Sequence, residues 1–160
     1  MIEFKYIILG MVILVIICYI KYYTKTYPSL TFLQSTIDKV DFEMLNSKIP
    51  IIITDQIVNV YDVFSIVFNY QYTFITKMHV IGSSWVRNSH KYMVLYPITR
   101  ETIKIAHPKS NMKDGKYEYI DIILNKNQLL IIPYGWWVLT SKCDVYKLDD
   151  LFSKLISYVL

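Results

Sequence analysis

The side chains of this sequence that could bind a metal or act as nucleophiles are few and far apart. The 160 residues include three histidines and two cysteines, namely His79, His90, His107, Cys18 and Cys143. Metal centres and nucleophilic sites need such residues at characteristic spacings, but the sequence has no Cys-x-x-Cys, His-Glu-x-x-His, His-x-Asp or His-x-Glu motif. It has no glycine-rich phosphate loop, and no histidine stands near Cys143. The residue types alone therefore favour a protein without such chemistry.

A mainly β domain with flanking helices must position these residues. From Tyr70 onward, short apolar or alternating runs are separated by turn residues, a pattern typical of strands. Asp114-Gly115, between two such runs, predicts a type I′ hairpin. Apolar spacing predicts further elements, in chain order a helix from Ile37 to Leu45, a strand from Ile49 to Thr54, a helix behind an Asn59 cap and a closing helix from Leu148 to Leu160.

Three segments of the chain carry a resemblance to a known protein family. Leu124 to Trp137 (LNKNQLLIIPYGWW) reads as a strand, a Pro-x-Gly turn and a Trp-Trp strand. Ser89 to Pro97 (SHKYMVLYP) looks like a Gly-x-Lys-aromatic-x-x-Leu-aromatic-Pro strand, and Lys48 to Thr54 (KIPIIIT) is similar to a "kPviitG" domain opening. In this order, between Leu30 and roughly Leu139, they resemble the JmjC and cupin-like 2-oxoglutarate oxygenase superfamily.

The resemblance implies a double-stranded β-helix barrel and, in active members of the family, an iron centre. Two histidines and one carboxylate hold Fe(II) there and leave positions open for the co-substrate and oxygen. A lysine of the family binds the carboxylate of 2-oxoglutarate, and Lys91 stands at its position. The positions that the resemblance assigns to the iron ligands are held here by Thr76, Met78 and Val138.

These three residues cannot supply the ligand set of the family. Val138 has no lone pair to give a metal, and the region before Lys91 that should carry a His-x-Asp or His-x-Glu pair reads FITKMH, from Phe74 to His79. His79 becomes a candidate ligand only if the alignment shifts by a few residues; otherwise it is a packed or polar histidine on a strand. We therefore expect no catalytic residue, no metal and no cofactor, with Lys91 as a vestigial 2-oxoglutarate position.

An apolar run from Tyr6 to Ile20, bracketed by Lys5 and Lys21, predicts a membrane anchor. The run is about 15 residues, or roughly 22 Å of helix, so flanking tyrosines and lysines must complete a hydrocarbon core of about 30 Å. A cleaved signal peptide and a buried core helix are the alternatives, although no small-residue cleavage site follows and the run has no polar face. Residues 1–25 are thus expected to form the anchor and juxtamembrane segment, and residues 26–160 the cupin/JmjC-like domain.

Composition restricts the partners and the setting. The net charge is +4, but Lys5, Lys21 and Lys25 flank the apolar run, so the rest of the chain is close to neutral and is not expected to bind nucleic acid. The lysines after the run favour a domain on the cytoplasmic side. The widely separated cysteines offer no disulfide framework, which favours a reducing compartment. Abundant Ile, Tyr, Asn and Lys indicate an AT-rich genome, such as that of a parasite, a symbiont or a large DNA virus.

Two classes of function remain at this point. The first is a single-pass membrane protein whose degenerate barrel acts as a structural or protein-interaction module, for example as a virion membrane or minor capsid component. Its expected partners are the lipid bilayer and another protein, and the 15 tyrosines supply amphipathic rings for such contacts. The second is an Fe(II)- and 2-oxoglutarate-dependent protein hydroxylase. The missing ligand motif favours the first class.

Overall fold

Four helices accompany the β domain in the computed structural model, which describes residues 2–25, 27–68, 74–81, 84–115 and 117–157. Helix α1 (Ile2–Thr24) opens the chain, and its segment Phe4–Thr24 is long and apolar enough to cross a membrane. None of that segment is buried within the protein, so α1 is not a core helix. The shorter helices are α2 (Phe42–Asn46), α3 (Val60–Val67) and α4 (Leu151–Ser157).

Ten strands, counted over the described residues, form two sheets, so the predicted mainly β domain with flanking helices is confirmed. They are β1 (Leu33–Ser35), β2 (Ile51–Ile53), β3 (Phe74–Ile81), β4 (Val86–Arg87), β5 (Tyr92–Pro97), β6 (Glu101–Ala106), β7 (Tyr119–Leu124), β8 (Leu129–Pro133), β9 (Trp137–Leu139) and β10 (Lys142–Asp149).

Successive strands alternate between the two sheets. The six-stranded sheet has the order β1-β2-β8-β5-β10-β3, and the four-stranded sheet has the order β4-β9-β6-β7. From β3 to β10, each strand lies in the sheet opposite its predecessor, except that β6 and β7 are antiparallel neighbours in one sheet. β1 extends the edge of the six-stranded sheet by pairing in parallel with β2.

Apolar side chains fill two layers, one on each face of the six-stranded sheet. Ile52 packs in the layer between the two sheets, together with Trp136 and Val138. Ile51 and Ile53 pack on the opposite face, in the layer beneath α2 and α3. The alternation follows from the two-residue period of a strand. Because both faces are covered, the central strands β2, β5 and β8 read as continuous apolar runs rather than as alternating ones.

The predicted helices before β3 are present with one change. The Asn59 cap is confirmed, since its side-chain oxygen accepts a hydrogen bond from the Tyr61 amide at 3.1 Å. The single helix expected from Ile37 to Leu45 is instead a 3-10 turn at Ile37–Lys39 followed by α2. The break arises because Asp41 starts a new helix, accepting from the Met44 amide at 2.8 Å.

Two other predictions differ in detail. Asp114-Gly115 does not form a two-residue hairpin turn, because the β6–β7 pairing stops at Ala106 opposite Tyr119 and leaves a longer connection. The closing helix begins only at Leu151, since Leu148 still pairs with Tyr92 within the sheet. Tyr70 and residues 158–160, which the sequence assigns to the first strand and to this helix, lie outside the described residues.

Candidate functional site

A small cavity opens between the two sheets, and two of the positions that the family resemblance assigns to iron ligands line it. Its volume is about 80 Å³, and its wall is mostly apolar. The lining residues come from β3, β4, β5, β9 and β10 and the segments beside them, and they are Met78, Ser84, Val86, Met93, Val138, Thr140, Val145 and Lys147.

Two of the four positions singled out from the sequence meet in this cavity. Val138, which is 2% exposed, and Met78 both belong to its wall. Thr76 is exposed on β3, where it pairs with Lys147, and it is not one of the lining residues. Lys91 belongs to a separate cluster beside α1.

One of the two strand neighbours of Val138 also lines the cavity, and the sequence does not mark it as a site residue. This neighbour is Val86 on β4, the antiparallel partner of Val138. The sequence carries no signal for this pairing, because the spacing from Lys91 in the resembled family places the His-x-Asp position on β3. The structure brings Met78, Val86 and Val138 together. The two valines have no donor atom, and the Met78 thioether is a soft sulfur donor, unlike the imidazole and carboxylate ligands of the resembled family.

The polar groups near the cavity do not fit an iron ion. Ser84, Thr140 and Lys147 offer hydroxyls and an ammonium rather than imidazole or carboxylate groups. Over the residues that the structure describes, no three His, Cys, Asp or Glu side chains come together in a way that could hold a metal. His79 Nδ1 lies 2.6 Å from the Asp144 carboxylate, and the His79 side chain is mostly exposed.

A second cluster lies where α1 meets the domain, and we call it the junction. Its residues are Tyr19, Tyr22, Tyr23, Tyr27, Lys48, Lys91, Asp149 and Asp150. Tyrosines come from the end of α1 and the segment after it, lysines from the starts of β2 and β5, and carboxylates from the end of β10. The junction therefore joins the beginning of the chain to its end.

Asp150 is the acidic centre of the junction. Its carboxylate accepts a hydrogen bond from the Tyr19 hydroxyl and another from Lys91 Nζ at 2.9 Å. The Tyr19 ring also packs against Phe152 of α4, with 5.1 Å between ring centroids. Burial alone would raise the pKa of Asp150, but the bonds from Tyr19, the Ser153 amide and Lys91 hold that pKa below its ordinary value. Asp150 therefore remains a carboxylate at neutral pH.

Asp149 holds the other side of Lys91. One of its oxygens accepts from the Lys91 backbone amide at 3.0 Å, and the other meets the His90 ring. Burial would raise the pKa of Asp149 as well, but these partners keep it low. Lys91 thus has carboxylates at both its backbone and its side chain, and its Nζ lies 5.3 Å from the centre of the Tyr19 ring.

Lys48 is the most unusual residue of the junction because its side chain is fully buried. Its Nζ donates to the carbonyl oxygens of Tyr23 at 3.4 Å and Lys25 at 3.2 Å, at the C-terminal end of α1. It also lies over the rings of Tyr22 and Tyr27, 5.1 and 4.5 Å from their centres. Burial, reinforced by the nearby Lys25 charge, lowers the pKa of Lys48 to about 8.

The Pro-Tyr-Gly turn of the sequence motif supports this junction rather than the cavity. Gly135 has a φ of +88°, and a Cβ built on it would lie 2.5 Å from the Tyr27 hydroxyl. The ring of Tyr134 packs edge-on against Tyr23, with 4.8 Å between centroids. The indole of Trp136 donates to the Lys48 carbonyl at 2.8 Å. The turn therefore fixes the surface on which α1 rests.

Comparisons with known proteins give no family: no family model and no curated protein matches the chain. The geometry defines a structural class rather than a family. It is a two-sheet β domain joined, through a buried lysine and a carboxylate cluster, to one apolar N-terminal helix.

Proposed function

We propose that this chain is a single-pass membrane protein whose domain is a non-catalytic, cupin/JmjC-like module with a structural or protein-interaction role. The observation that carries the proposal is the junction, because Lys48 and Asp150 bind the end of α1 directly to the domain. A helix held in this way presents the domain to a partner at a fixed orientation from the bilayer, which is useful to a scaffold.

The strand order supports a double-stranded β-helix for the domain. The eight strands from β3 to β10 are divided equally between the two sheets, and consecutive strands lie in opposite sheets except for the neighbours β6 and β7. Over that part of the chain the strand orders are β8-β5-β10-β3 and β4-β9-β6-β7. Jelly rolls and cupins are built from two packed sheets of this kind. On this proposal, β1 and β2 are additions to the edge of the barrel.

The cavity supports the absence of catalysis. Met78 and Val138, two of the positions that the resemblance assigns to iron ligands, line this cavity together with Val86, and the wall there is apolar. Lys91 binds Asp150 at the junction instead of facing this cavity, so its position is explained without 2-oxoglutarate.

The charges beside α1 favour one side of the membrane for the domain, and the amino-acid composition favours one biological setting for the protein. Lys21 and Lys25 at the exit of α1 favour the cytoplasmic face for the domain. The AT-rich codon composition favours a large DNA virus, in which such a module would bridge an internal membrane and a capsid layer as a virion membrane or minor capsid component.

Membrane anchoring is tested by extracting vesicles that contain the full-length protein with alkaline carbonate. We expect the wild-type chain to remain with the lipid. Leu14→Lys, which places a charge on the exposed middle of α1, should release part of it, because a central lysine costs about 3 kcal/mol on insertion scales. Val58→Lys, at another exposed apolar position, is the matched control and should stay bound. Release of the wild-type protein would contradict the proposal.

The absence of catalysis is tested by metal analysis of the full-length protein produced in iron-rich medium. We expect no stoichiometric iron and no turnover of 2-oxoglutarate. One iron per chain that disappears in His79→Ala would establish the hydroxylase alternative. Tight metal-free binding of 2-oxoglutarate that is lost in Lys91→Ala but retained in Asp150→Asn would instead make the domain a ligand sensor. The Asp150 variant separates ligand loss from damage to the junction.

A further inference from the structure

The end of α1 does not project freely from the domain but lies against it. Phe4–Thr24 contains 21 residues, close to the roughly 20 that a hydrocarbon core of about 30 Å requires. Tyr19 stands five residues before Thr24, which at 1.5 Å per residue places it about 7 Å inside the membrane boundary when the whole segment spans. Side chains on a helix also lean toward its N-terminus, which carries the Tyr19 ring deeper.

The part of the domain that touches Tyr19 must therefore come to the same depth. That part is Asp150 and Phe152, at the start of α4. A carboxylate at this level is tolerable because Lys91 and the Tyr19 hydroxyl both bind it. Leu151, between the two contacting residues, is 56% exposed and has its side chain directed away from the core.

The composition and charges around α4 fit a lipid surface. The sequence from Leu151 to Leu160 is LFSKLISYVL, which has Lys154 as its one charged side chain. Lys21 and Lys25, both exposed, carry positive charge where the chain leaves the apolar segment of α1. Basic side chains next to an apolar surface are what an interface with anionic phospholipids selects.

We infer that α4 is a second membrane contact, which enters the headgroup and acyl-chain boundary of the bilayer that α1 spans. Its occupant is the lipid itself, and the contact is continuous with α1 through the Tyr19–Phe152 pair. The inference rests on the proposed function, since it requires α1 to be in the membrane. The domain then meets the bilayer at two elements and cannot rotate about α1.

The experiment measures the depth of a nitroxide spin label in nanodiscs of phosphatidylcholine and phosphatidylglycerol. Variants of the full-length chain with one accessible cysteine are made in a Cys18→Ala background, where the remaining Cys143 is buried. Collisions with oxygen, which enriches in the acyl region, are compared with collisions with a water-soluble nickel chelate. Leu151→Cys is the test position, and Leu14→Cys, 63% exposed on α1, reports whether the helix is inserted.

The matched aqueous control is Val58→Cys. Val58 is 91% exposed, and its neighbour Ile57 donates to Asn127 at 2.7 Å, at the end of the six-stranded sheet away from Asp149. The eight residues of β10, or roughly 26 Å of strand, separate that end from α4. A label at Val58 should therefore collide freely with the nickel chelate.

We expect the oxygen-to-nickel collision ratio at Leu151 to exceed that at Val58 several-fold, with Leu14 higher still. A ratio at Leu151 equal to that at Val58, while Leu14 lies in hydrocarbon, would overturn the inference and leave the proposed function intact. A water-exposed label at Leu14 would overturn both. A label at Leu151 that is shielded from both reagents would indicate a protein contact and would also overturn the inference. Because Leu151 is exposed, its replacement is not expected to disturb folding, and the fluorescence of buried Trp136 verifies this.

Discussion

Lys48 Nζ lies 3.4 Å from the carbonyl oxygen of Tyr23, so a lysine of the domain caps the C-terminal end of the N-terminal helix. The last carbonyls of a helix lack partners within it and carry the negative end of the helix dipole. A buried ammonium that binds two of them satisfies both needs, and the aromatic rings of Tyr22 and Tyr27 replace part of its lost hydration.

This cap predicts a specific dependence of stability on pH. The pKa of Lys48 is about 8 in the folded protein against an ordinary 10.5, so the unfolded chain binds the proton more tightly. The free energy of unfolding should rise as the pH increases from about 8 to about 10.5, by roughly 3 kcal/mol at 1.36 kcal/mol per pKa unit. Lys48→Met should lose this rise. The rise is measured by urea unfolding of both proteins in detergent micelles at pH 7 and pH 10, with tryptophan fluorescence as the signal.

The other titratable side chains are common to both proteins, so the difference between the wild-type and variant profiles reports on Lys48. Stability profiles that run parallel from pH 7 to pH 10 would contradict the assignment.

Gly135 is expected to be intolerant of a side chain. Gly135→Ala combines a φ of +88° with a Cβ only 2.5 Å from the Tyr27 hydroxyl, so it should both strain the turn and displace Tyr27 from Lys48. We expect a loss of about 2 kcal/mol or more in the free energy of unfolding. Gly115→Ala is the control, because φ there is +65° but no atom lies within 4 Å of the added Cβ. Equal losses in the two variants would show that the contact with Tyr27 is unimportant.

Asp150→Asn should weaken the junction at neutral pH. The variant removes the charge that Tyr19 and Lys91 bind, and the expected cost is about 1–3 kcal/mol in the free energy of unfolding. The folded-state pKa of Asp150 is below its ordinary 3.8, so this stabilisation is present above that value and is lost as the pH falls through the folded-state pKa. The difference between wild type and variant should therefore shrink on acidification below about pH 4.

A matched surface pair provides the control for this measurement. Asp121 lies 3.9 Å from Lys104 with both side chains substantially exposed, so Asp121→Asn should change stability by less than about 1 kcal/mol. A larger loss of unfolding free energy in Asp121→Asn than in Asp150→Asn would show that the junction stabilises the protein no more than a surface ion pair does.

Two histidines should create a metal site where the chain has two valines. Val86 and Val138 are direct partners on β4 and β9 and line one cavity, so their Cβ atoms are about 5 Å apart. The double variant Val86→His/Val138→His should bind Zn²⁺ with micromolar affinity in calorimetry, whereas Val86→His alone should not. A double variant that folds and binds no zinc would show that the two positions do not face each other as the register implies.

Local signals in the sequence were sufficient for the elements that depend on them. The Asn59 cap and the apolar period behind it predict α3, and the unbroken apolar run predicts α1. The junction could not be predicted, because Tyr19 and Asp150 are 131 positions apart and meet only once the sheets have formed. The Val86–Val138 pairing depends in the same way on strand register, which a one-residue change in any connection would alter.

The parallel pairing of β1 with β2 also determines how the molecule responds to force. Leu33 donates to Pro50 at 2.8 Å and Thr54 to Ser35 at 3.0 Å, so the chain leaving α1 is bonded to the sheet edge soon after it enters the domain. Tension between the bilayer and the domain would act first on the contacts of Tyr19 with Asp150 and Phe152 and on the Lys48 contacts, and then on these few hydrogen bonds. In a pulling experiment, the segment from α1 to β1 should therefore detach at a lower force than the force that unfolds the two sheets.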